Sequence, residues 1–227
     1  MPRETFDKEI QELQDKLLAL GSLVEKTLLD AVQFLKQRDR QASRRLIVHD
    51  RIINEKRYEI ETETFQLIAM QQPMARDLRT LGAFLYIATE LERIGDYAKG
   101  IARINLMLGE APLMKPLIDI PLMAAKASQM LHRSLDAFVQ RNVEWAAEIP
   151  QDDDEVDGLY NQVYRELITH IIQDPKNIEQ ANFLLWVAHN LERSADRVSN
   201  ICERVIFTCT GRIIDFSMDE KGIESLG

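Results

Sequence analysis

Two copies of the motif Leu-Glu-Arg-x-x-Asp carry the side chains best suited to binding or catalysis in this sequence. The first copy lies in ELERIGDYAKGI and the second, one hundred residues later, in NLERSADRVSNI. In each copy a glutamate precedes an aspartate by four residues: Glu92 with Asp96, and Glu192 with Asp196. On a helix this spacing places both carboxylates on one face, where they repel each other unless something neutralises them.

A second oxygen-bearing pair precedes each motif. Asp50 and Asn54 stand in the first half of the chain and Asp153 and Asp157 in the second, again at four-residue spacing. Antiparallel packing of two helices could bring the pairs of each half face to face. Four oxygen donors without cysteine or histidine suit hard or borderline cations that bind carboxylate, such as iron, manganese, magnesium or calcium. One hypothesis is therefore a carboxylate metal site in each half.

Ordinary salt bridges are the alternative explanation of the motif carboxylates. Arg93 and Lys99 both stand three residues from Asp96, and Arg193 has the same spacing to Asp196. Surface ion pairs of this kind contribute about 0–1 kcal/mol and carry no function. Spacing within one helix leaves both explanations open.

Catalytic patterns are not found in the sequence. A di-iron oxidase of the ferritin type needs Glu-x-x-His on two helices, and this spacing does not occur. Neither do a Gly-rich phosphate loop, a nucleophile elbow or an H-E-x-x-H motif. The histidines are scattered, at His49, His132, His170 and His189. We therefore predict a non-enzymatic protein, and the alternative is a metal-storage or metal-dependent hydrolytic protein that uses the paired carboxylates.

Composition narrows the class of protein. The chain has 227 residues with a net charge of −9, which argues against a nucleic-acid partner. No apolar run is long enough to span a membrane and no secretory signal is present, so we expect a cytoplasmic protein with at most peripheral membrane association. Cys202 and Cys209 are seven residues apart, roughly 10 Å along a helix, which predicts reduced thiols.

The apolar pattern predicts an all-α protein. Apolar residues recur every three or four positions, from Phe6 to Leu35 in the first helix, and proline or glycine interrupts the later segments. Asp39 is a plausible N-cap of the second helix. The predicted helices are 4–37, about 39 to 72, about 73 to 109, 122–140, 143–172 and 175–210.

An internal duplication relates the two halves. Residues 81–106 align with 181–206 at an offset of 100, and the preceding helices align at an offset of 103. Pro150 falls where the first half has Ile47, so the fifth helix is expected to kink there or start late. These observations predict six helices in two tandem three-helix bundles, 1–110 and 111–227, joined by a linker at about 109–121.

Charge is distributed unevenly along the chain. Residues 36–57 hold eight lysines and arginines against three acids, whereas 148–157 is strongly acidic. Each segment is either a solvated face or a functional surface. As a functional surface, the basic segment would dock an acidic partner or the membrane surface, and the acidic segment would belong to a metal site or dock a second partner.

The order of motifs resembles the PhoU family of phosphate-uptake regulators over essentially the whole chain. The first half contains D-x-x-I-N, QPxxxDLR and LERIGD; the second contains D-x-x-V-D, DPxNIxxA and LERSAD. The resemblance implies two three-helix bundles. It also implies a negative regulator that binds the high-affinity phosphate ABC transporter, through its ATPase, and the phosphate-sensing histidine kinase. We further expect a homodimer.

The resemblance also implies metal. Some family members carry multinuclear clusters on E(D)-x-x-x-D pairs, and the matching residues are Glu92, Asp96, Glu192 and Asp196, with Asp50, Asp153 and Asp157 opposite, so iron or another divalent metal ion is expected. Asn54 replaces an acid, while Tyr97 and Arg197 stand where the family often has histidine. We therefore expect the second site to be the better one. Asp77, in the first turn of its helix, is expected to complement the helix dipole rather than to bind metal.

Overall fold

The fold consists of α-helices alone. The computed structural model describes residues 3–216, in which seven α-helices and no strands occur. They are α1 (Arg3–Gln37), α2 (Arg40–Gln71), α3 (Arg76–Met107), α4 (Asp119–Gln140), α5 (Val143–Glu148), α6 (Asp153–Gln173) and α7 (Ile178–Thr210). Six helices are long, and the short α5 precedes α6. The predicted all-α class with two tandem three-helix bundles is confirmed.

The helix ends follow local capping signals, with small corrections to the predicted bounds. The Asp39 carboxylate accepts a hydrogen bond from Ala42 N at 2.8 Å, as expected of an N-cap. The third helix begins at Arg76 and not beside Pro73. The fourth begins at residue 119 instead of 122, because the added turn buries the apolar side chain of Ile120.

Pro150 interrupts the predicted fifth helix. Proline lacks the N–H that an α-helix interior requires, so the chain forms α5, a 3₁₀ turn over Ile149–Asp152, and then α6. The expected break is confirmed, and it places Asp153 in the first turn of α6. A similar 3₁₀ turn, Pro175–Asn177, replaces the predicted start of the last helix, which begins as an α-helix at Ile178.

One continuous apolar core joins the two repeats. Helix α3 packs against α7, and α1 packs against α4. The rings of Phe84 and Phe138, one from each repeat, meet edge to face with centroids 5.7 Å apart. A Cβ atom on Gly21 would stand 2.2 Å from Leu135 Cδ1, so glycine permits the close approach of α1 to α4.

Two further expectations concern thiols and membranes. Cys202 is buried and Cys209 is half-buried, and both are free thiols, as predicted. Across residues 3–216, no helix combines the length and apolar character that crossing a membrane requires.

Candidate metal centre

The second repeat brings its four predicted carboxylates to one patch. Asp153 and Asp157 lie in the first two turns of α6, and Glu192 and Asp196 lie in the middle of α7, which packs against α6. Asp153, Asp157 and Asp196 line one cleft between these helices, and Asp196 repels the other three carboxylates. We call these four residues the second acidic cluster.

Burial and mutual repulsion oppose ionisation of this cluster. Loss of water contact, followed by repulsion from Asp196 and Asp157, raises the pKa of Asp153 to about 7. Burial and then Asp196 also raise the pKa values of Asp157 and Glu192. At neutral pH the positive charge near the four carboxylates is therefore too small to offset their burial and mutual repulsion.

Three oxygen atoms at this patch lack hydrogen bonds. Asp153 Oδ1, Glu192 Oε2 and Ser199 Oγ are buried and find no hydrogen-bond partner among residues 3–216. His189 Nδ1 lies 3.3 Å from Glu192 Oε2 but outside hydrogen-bonding geometry. Because ionised carboxylates only accept, a cation would satisfy the two carboxylate oxygens.

A cleft of about 950 Å³ opens beside the cluster. Arg193 donates to Asp196 Oδ2 at its edge, which is the ion pair that the salt-bridge explanation predicted. Phe216 N donates to Glu203 Oε1 at 2.8 Å, so the segment 214–216 forms one wall. Acidic and polar side chains dominate the remaining lining, which includes Asp153, Asp154, Asp157, Ser199 and Asn200.

The first repeat assembles the equivalent residues differently, because a lysine stands among them. Lys99 Nζ lies 2.6 Å from Asp50 Oδ2 and 3.3 Å from Asp96 Oδ1. Asn54 Nδ2 donates to Asp50 Oδ2 at 3.4 Å. Burial, followed by repulsion from Asp96, raises the pKa of Glu92, whereas the hydrogen bond to Asp50 raises that of Lys99 and keeps it charged. We call Asp50, Asn54, Glu92 and Asp96 the first acidic cluster.

The two clusters fit a cation unequally. Within the described part of the chain, no group of three or more His, Cys, Asp or Glu side chains is placed so that it could hold a metal ion as it stands. The second cluster nevertheless offers four carboxylates and orphaned oxygens, a donor set that suits a hard cation. The first offers three carboxylates with an ammonium group already among them, and does not fit.

Tyr97 and Arg197, which stand where the family often has histidine, connect the two repeats and do not extend the clusters. Arg197 Nη2 lies 3.4 Å from the Tyr97 hydroxyl, and Arg197 Nη1 lies 3.5 Å from Glu90 Oε2, across the contact between α3 and α7. Asp77 lies in the first turn of α3, where an acid complements the helix dipole.

Spacing within one helix does not specify the contacts of two residues of the site. It pairs Lys99 with Asp96, although the shorter contact of Lys99 is to Asp50 on another helix, and no motif points to Ser199. Their equivalence at the repeat offset of 100 was the available signal. The spacing also pairs Arg93 with Asp96, but the nearest carboxylate oxygen to Arg93 in the described residues is Glu92 Oε2 at 4.0 Å.

Comparisons with known proteins match the chain along both repeats. The family model described as "PhoU domain" matches residues 17–104 and again 120–205. A relative from Clostridium acetobutylicum, named phosphate-specific transport system accessory protein PhoU homolog, is 37% identical over 218 residues, covering 96% of this chain and 100% of the relative. A relative of the same name from Aquifex aeolicus is 33% identical over 216 residues, covering 95% and 98%.

Solved structures agree with this match. The crystal structure of the phosphate transport system regulatory protein PhoU from Streptococcus pneumoniae superposes with a TM-score of 0.86 at 32% identity, covering 93% of this chain and 100% of that one. PhoU from Pseudomonas aeruginosa gives a TM-score of 0.85 at 32% identity, covering 91% and 100%.

Proposed function

Because the chain belongs to the PhoU family, we propose that it is a non-enzymatic negative regulator of phosphate uptake and phosphate-starvation signalling. When phosphate is plentiful, it restrains the high-affinity phosphate ABC transporter by binding its ATPase, and it keeps the phosphate-sensing histidine kinase from activating starvation genes. The observation that carries this proposal is the match of both repeats to relatives named as accessory proteins of the phosphate-specific transport system.

An exposed basic face on α2 supports a docking role. Arg44, Arg45 and Arg51 are exposed there, next to the exposed apolar side chains of Val48 and Ile52. Apolar groups ringed by cations suit a partner surface that is apolar at its centre and acidic around it. A regulator that binds one state of a partner more tightly than another shifts that partner toward the favoured state.

Deletion of the gene tests the regulatory proposal. In high phosphate we expect a deletion strain to keep taking up labelled phosphate at the starved rate and to keep a starvation-gene reporter active. A plasmid copy of the gene should restore the repression of both phosphate uptake and the reporter. Uptake and reporter activity that stay repressed in the deletion strain would contradict the proposal. Pull-down of the transporter ATPase and of the kinase, at high and low phosphate, tests the two contacts.

A homodimer is part of the same proposal. Exposed apolar side chains at the α6–α7 end of the molecule, Ile172, Ile178 and Trp186, offer surface for self-association. Light scattering during gel filtration measures the mass in solution, and a monomer at micromolar concentration would contradict this part.

We also propose a divalent cation, iron or another oxygen-preferring metal ion, at the second acidic cluster. Asp153, Asp157, Glu192 and Asp196 would hold it, and it would neutralise their repulsion and tie α6 to α7. The buried oxygens of Asp153 and Glu192 that lack hydrogen bonds support this assignment. A metal-storage or hydrolytic role is the second candidate function, and turnover of phosphoesters by the metal-loaded protein would favour it.

Paired alanine variants test the cation. Glu192→Ala with Asp196→Ala should lower the metal that copurifies without chelator by at least about tenfold, because two ligands are lost. Glu92→Ala with Asp96→Ala is the matched control in the first repeat and should leave the metal content unchanged. Elemental analysis of both purified proteins measures the difference. Unchanged metal in the Glu192/Asp196 variant would remove the site.

A further inference from the structure

The charges around the two acidic clusters differ at equivalent positions of the repeat. At the offsets of 100 and 103, four cations on the helices of the first cluster align with residues of different charge, whereas Tyr97 aligns with the cation Arg197, which pairs with Glu90 across the repeats. In the four pairs the first repeat has the cation and the second has a neutral or acidic residue: Lys99 and Ser199, Arg51 and Asp154, Arg57 and Tyr160, Arg103 and Glu203. The duplicated clusters have therefore acquired different electrostatic surroundings.

Lys99 takes a central position in the first cluster. Its ammonium group contacts Asp50 on α2 at 2.6 Å and Asp96 on α3 at 3.3 Å, so it bridges the two helices that supply the cluster. The Lys99 side chain is 20% exposed and that of Asp50 is 6% exposed. A charge pair so little exposed to water is screened much less than a surface pair. The ammonium thus supplies, from within the chain, the positive charge between two helices that a bound cation would supply.

Ser199 leaves the same place in the second cluster without a charge. Its Oγ is buried with no hydrogen-bond partner in the described residues, and so are one oxygen of Asp153 and one of Glu192. Arg193 pairs with Asp196 at the edge of the cluster, but the buried oxygens of Asp153 and Glu192 still have no partner among the described residues, so this arginine does not replace the missing lysine. The second cluster also has one carboxylate more than the first, because Asp157 stands at the position of Asn54.

We propose that Lys99 is a built-in counter-ion that closes the first acidic cluster to cations, whereas Ser199 leaves the second cluster open to a cation from solution. This inference rests on the metal proposed above for the second cluster. The duplicated chain then has one self-neutralised site and one open site, and the residue at position 99 or 199 decides whether the cluster carries its own counter-ion.

Exchange of the two residues tests the proposal with Mn²⁺ as the probe. Ser199→Lys should weaken Mn²⁺ binding by at least about tenfold, and the open cleft beside Ser199 leaves room for the longer side chain. Ser199→Met is the matched control, of similar length but uncharged, and should weaken binding much less. Titration calorimetry measures both. Equal losses in the two variants would mean that bulk and not charge closes the site, and would overturn the proposal.

The reverse exchange opens the first cluster. Asn54→Asp with Lys99→Ser gives the first repeat the same four acidic residues and the same serine as the second, and should roughly double the Mn²⁺ bound per chain after gel filtration. Asn54→Asp alone, with Lys99 in place, is the control and should bind no more Mn²⁺ than the unchanged protein. Extra Mn²⁺ in this control, or none in the double variant, would overturn the proposal.

Thermal unfolding in EDTA supplies a readout that does not depend on metal. There Ser199→Lys should raise Tm by roughly 3 °C, and Lys99→Ser should lower it by a similar amount. If these Tm shifts occur but the unchanged protein binds no Mn²⁺, the metal proposal has failed, whereas the role of Lys99 as a counter-ion stands. Unchanged Tm in both variants would overturn the counter-ion itself. Loss of phosphate regulation is a separate phenotype, so neither result depends on it.

Discussion

Replacement of Asp153 by asparagine is expected to raise the free energy of unfolding of the metal-free protein by about 2 kcal/mol at pH 8. The native protein places this carboxylate in a half-buried site beside three other acids, and its pKa is raised to about 7. Asparagine keeps the shape and removes the charge. The expected gain is about half of what the full pKa shift would give, because solvent and salt screen part of the repulsion.

The gain should depend on pH in a defined direction. A carboxyl whose native pKa is raised above its unfolded value of 3.8 holds a proton in the native state that the unfolded chain releases. The unchanged protein therefore loses stability as the pH rises from about 4 to about 7. Asp153→Asn removes this loss, so the two proteins should be equally stable near pH 4 and should differ most above pH 7.

Urea titrations in EDTA at several pH values measure this difference. Asp50→Asn is the matched control in the first repeat, and because it removes the partner of Lys99 it should destabilise the protein. With Mn²⁺ present, Asp153→Asn should lose its advantage, since the cation stabilises the native state in proportion to its affinity. A gain of the same size at pH 4 and pH 8 would contradict the electrostatic explanation.

Asn105→Ala is expected to lower the free energy of unfolding by about 3 kcal/mol. Asn105 is fully buried, and its side chain joins α3 to the α1–α2 turn. Its Nδ2 lies within hydrogen-bonding distance of Phe34 O at 3.1 Å, Asp39 O at 3.3 Å and Ser43 Oγ at 2.8 Å, while its Oδ1 accepts from Arg38. Alanine would leave these buried groups without their partner.

An exposed asparagine provides the control for this loss. Asn161 lies on the surface of α6, and Asn161→Ala should change the free energy of unfolding by less than about 0.5 kcal/mol. Chemical denaturation of both variants with matched m-values measures the two effects. A loss below about 1 kcal/mol in Asn105→Ala would mean that water replaces the side chain in this turn.

Helix class and the duplication could be read directly from residue order. The apolar stripe from Phe6 to Leu35 repeats at helical spacing, and the capping role of Asp39 and the break at Pro150 depend on residues within one or two turns. The same local rules were less accurate at helix starts. Ile120 lies outside the predicted fourth helix but inside the observed one, because burial against neighbouring helices extends the helix beyond its local signals.

At the candidate site, some features follow from spacing along one helix and others from packing between helices. Residue spacing predicts the helical class, the tandem repeat and the carboxylate pairs, because spacing along one helix dictates which side chains share a face. Helix packing, in contrast, brings Lys99 to Asp50, 49 residues away, and leaves buried oxygens of Asp153, Glu192 and Ser199 without a partner among the described residues. Such contacts depend on how each helix is rotated and packed against its neighbour, and spacing within a helix does not specify either quantity.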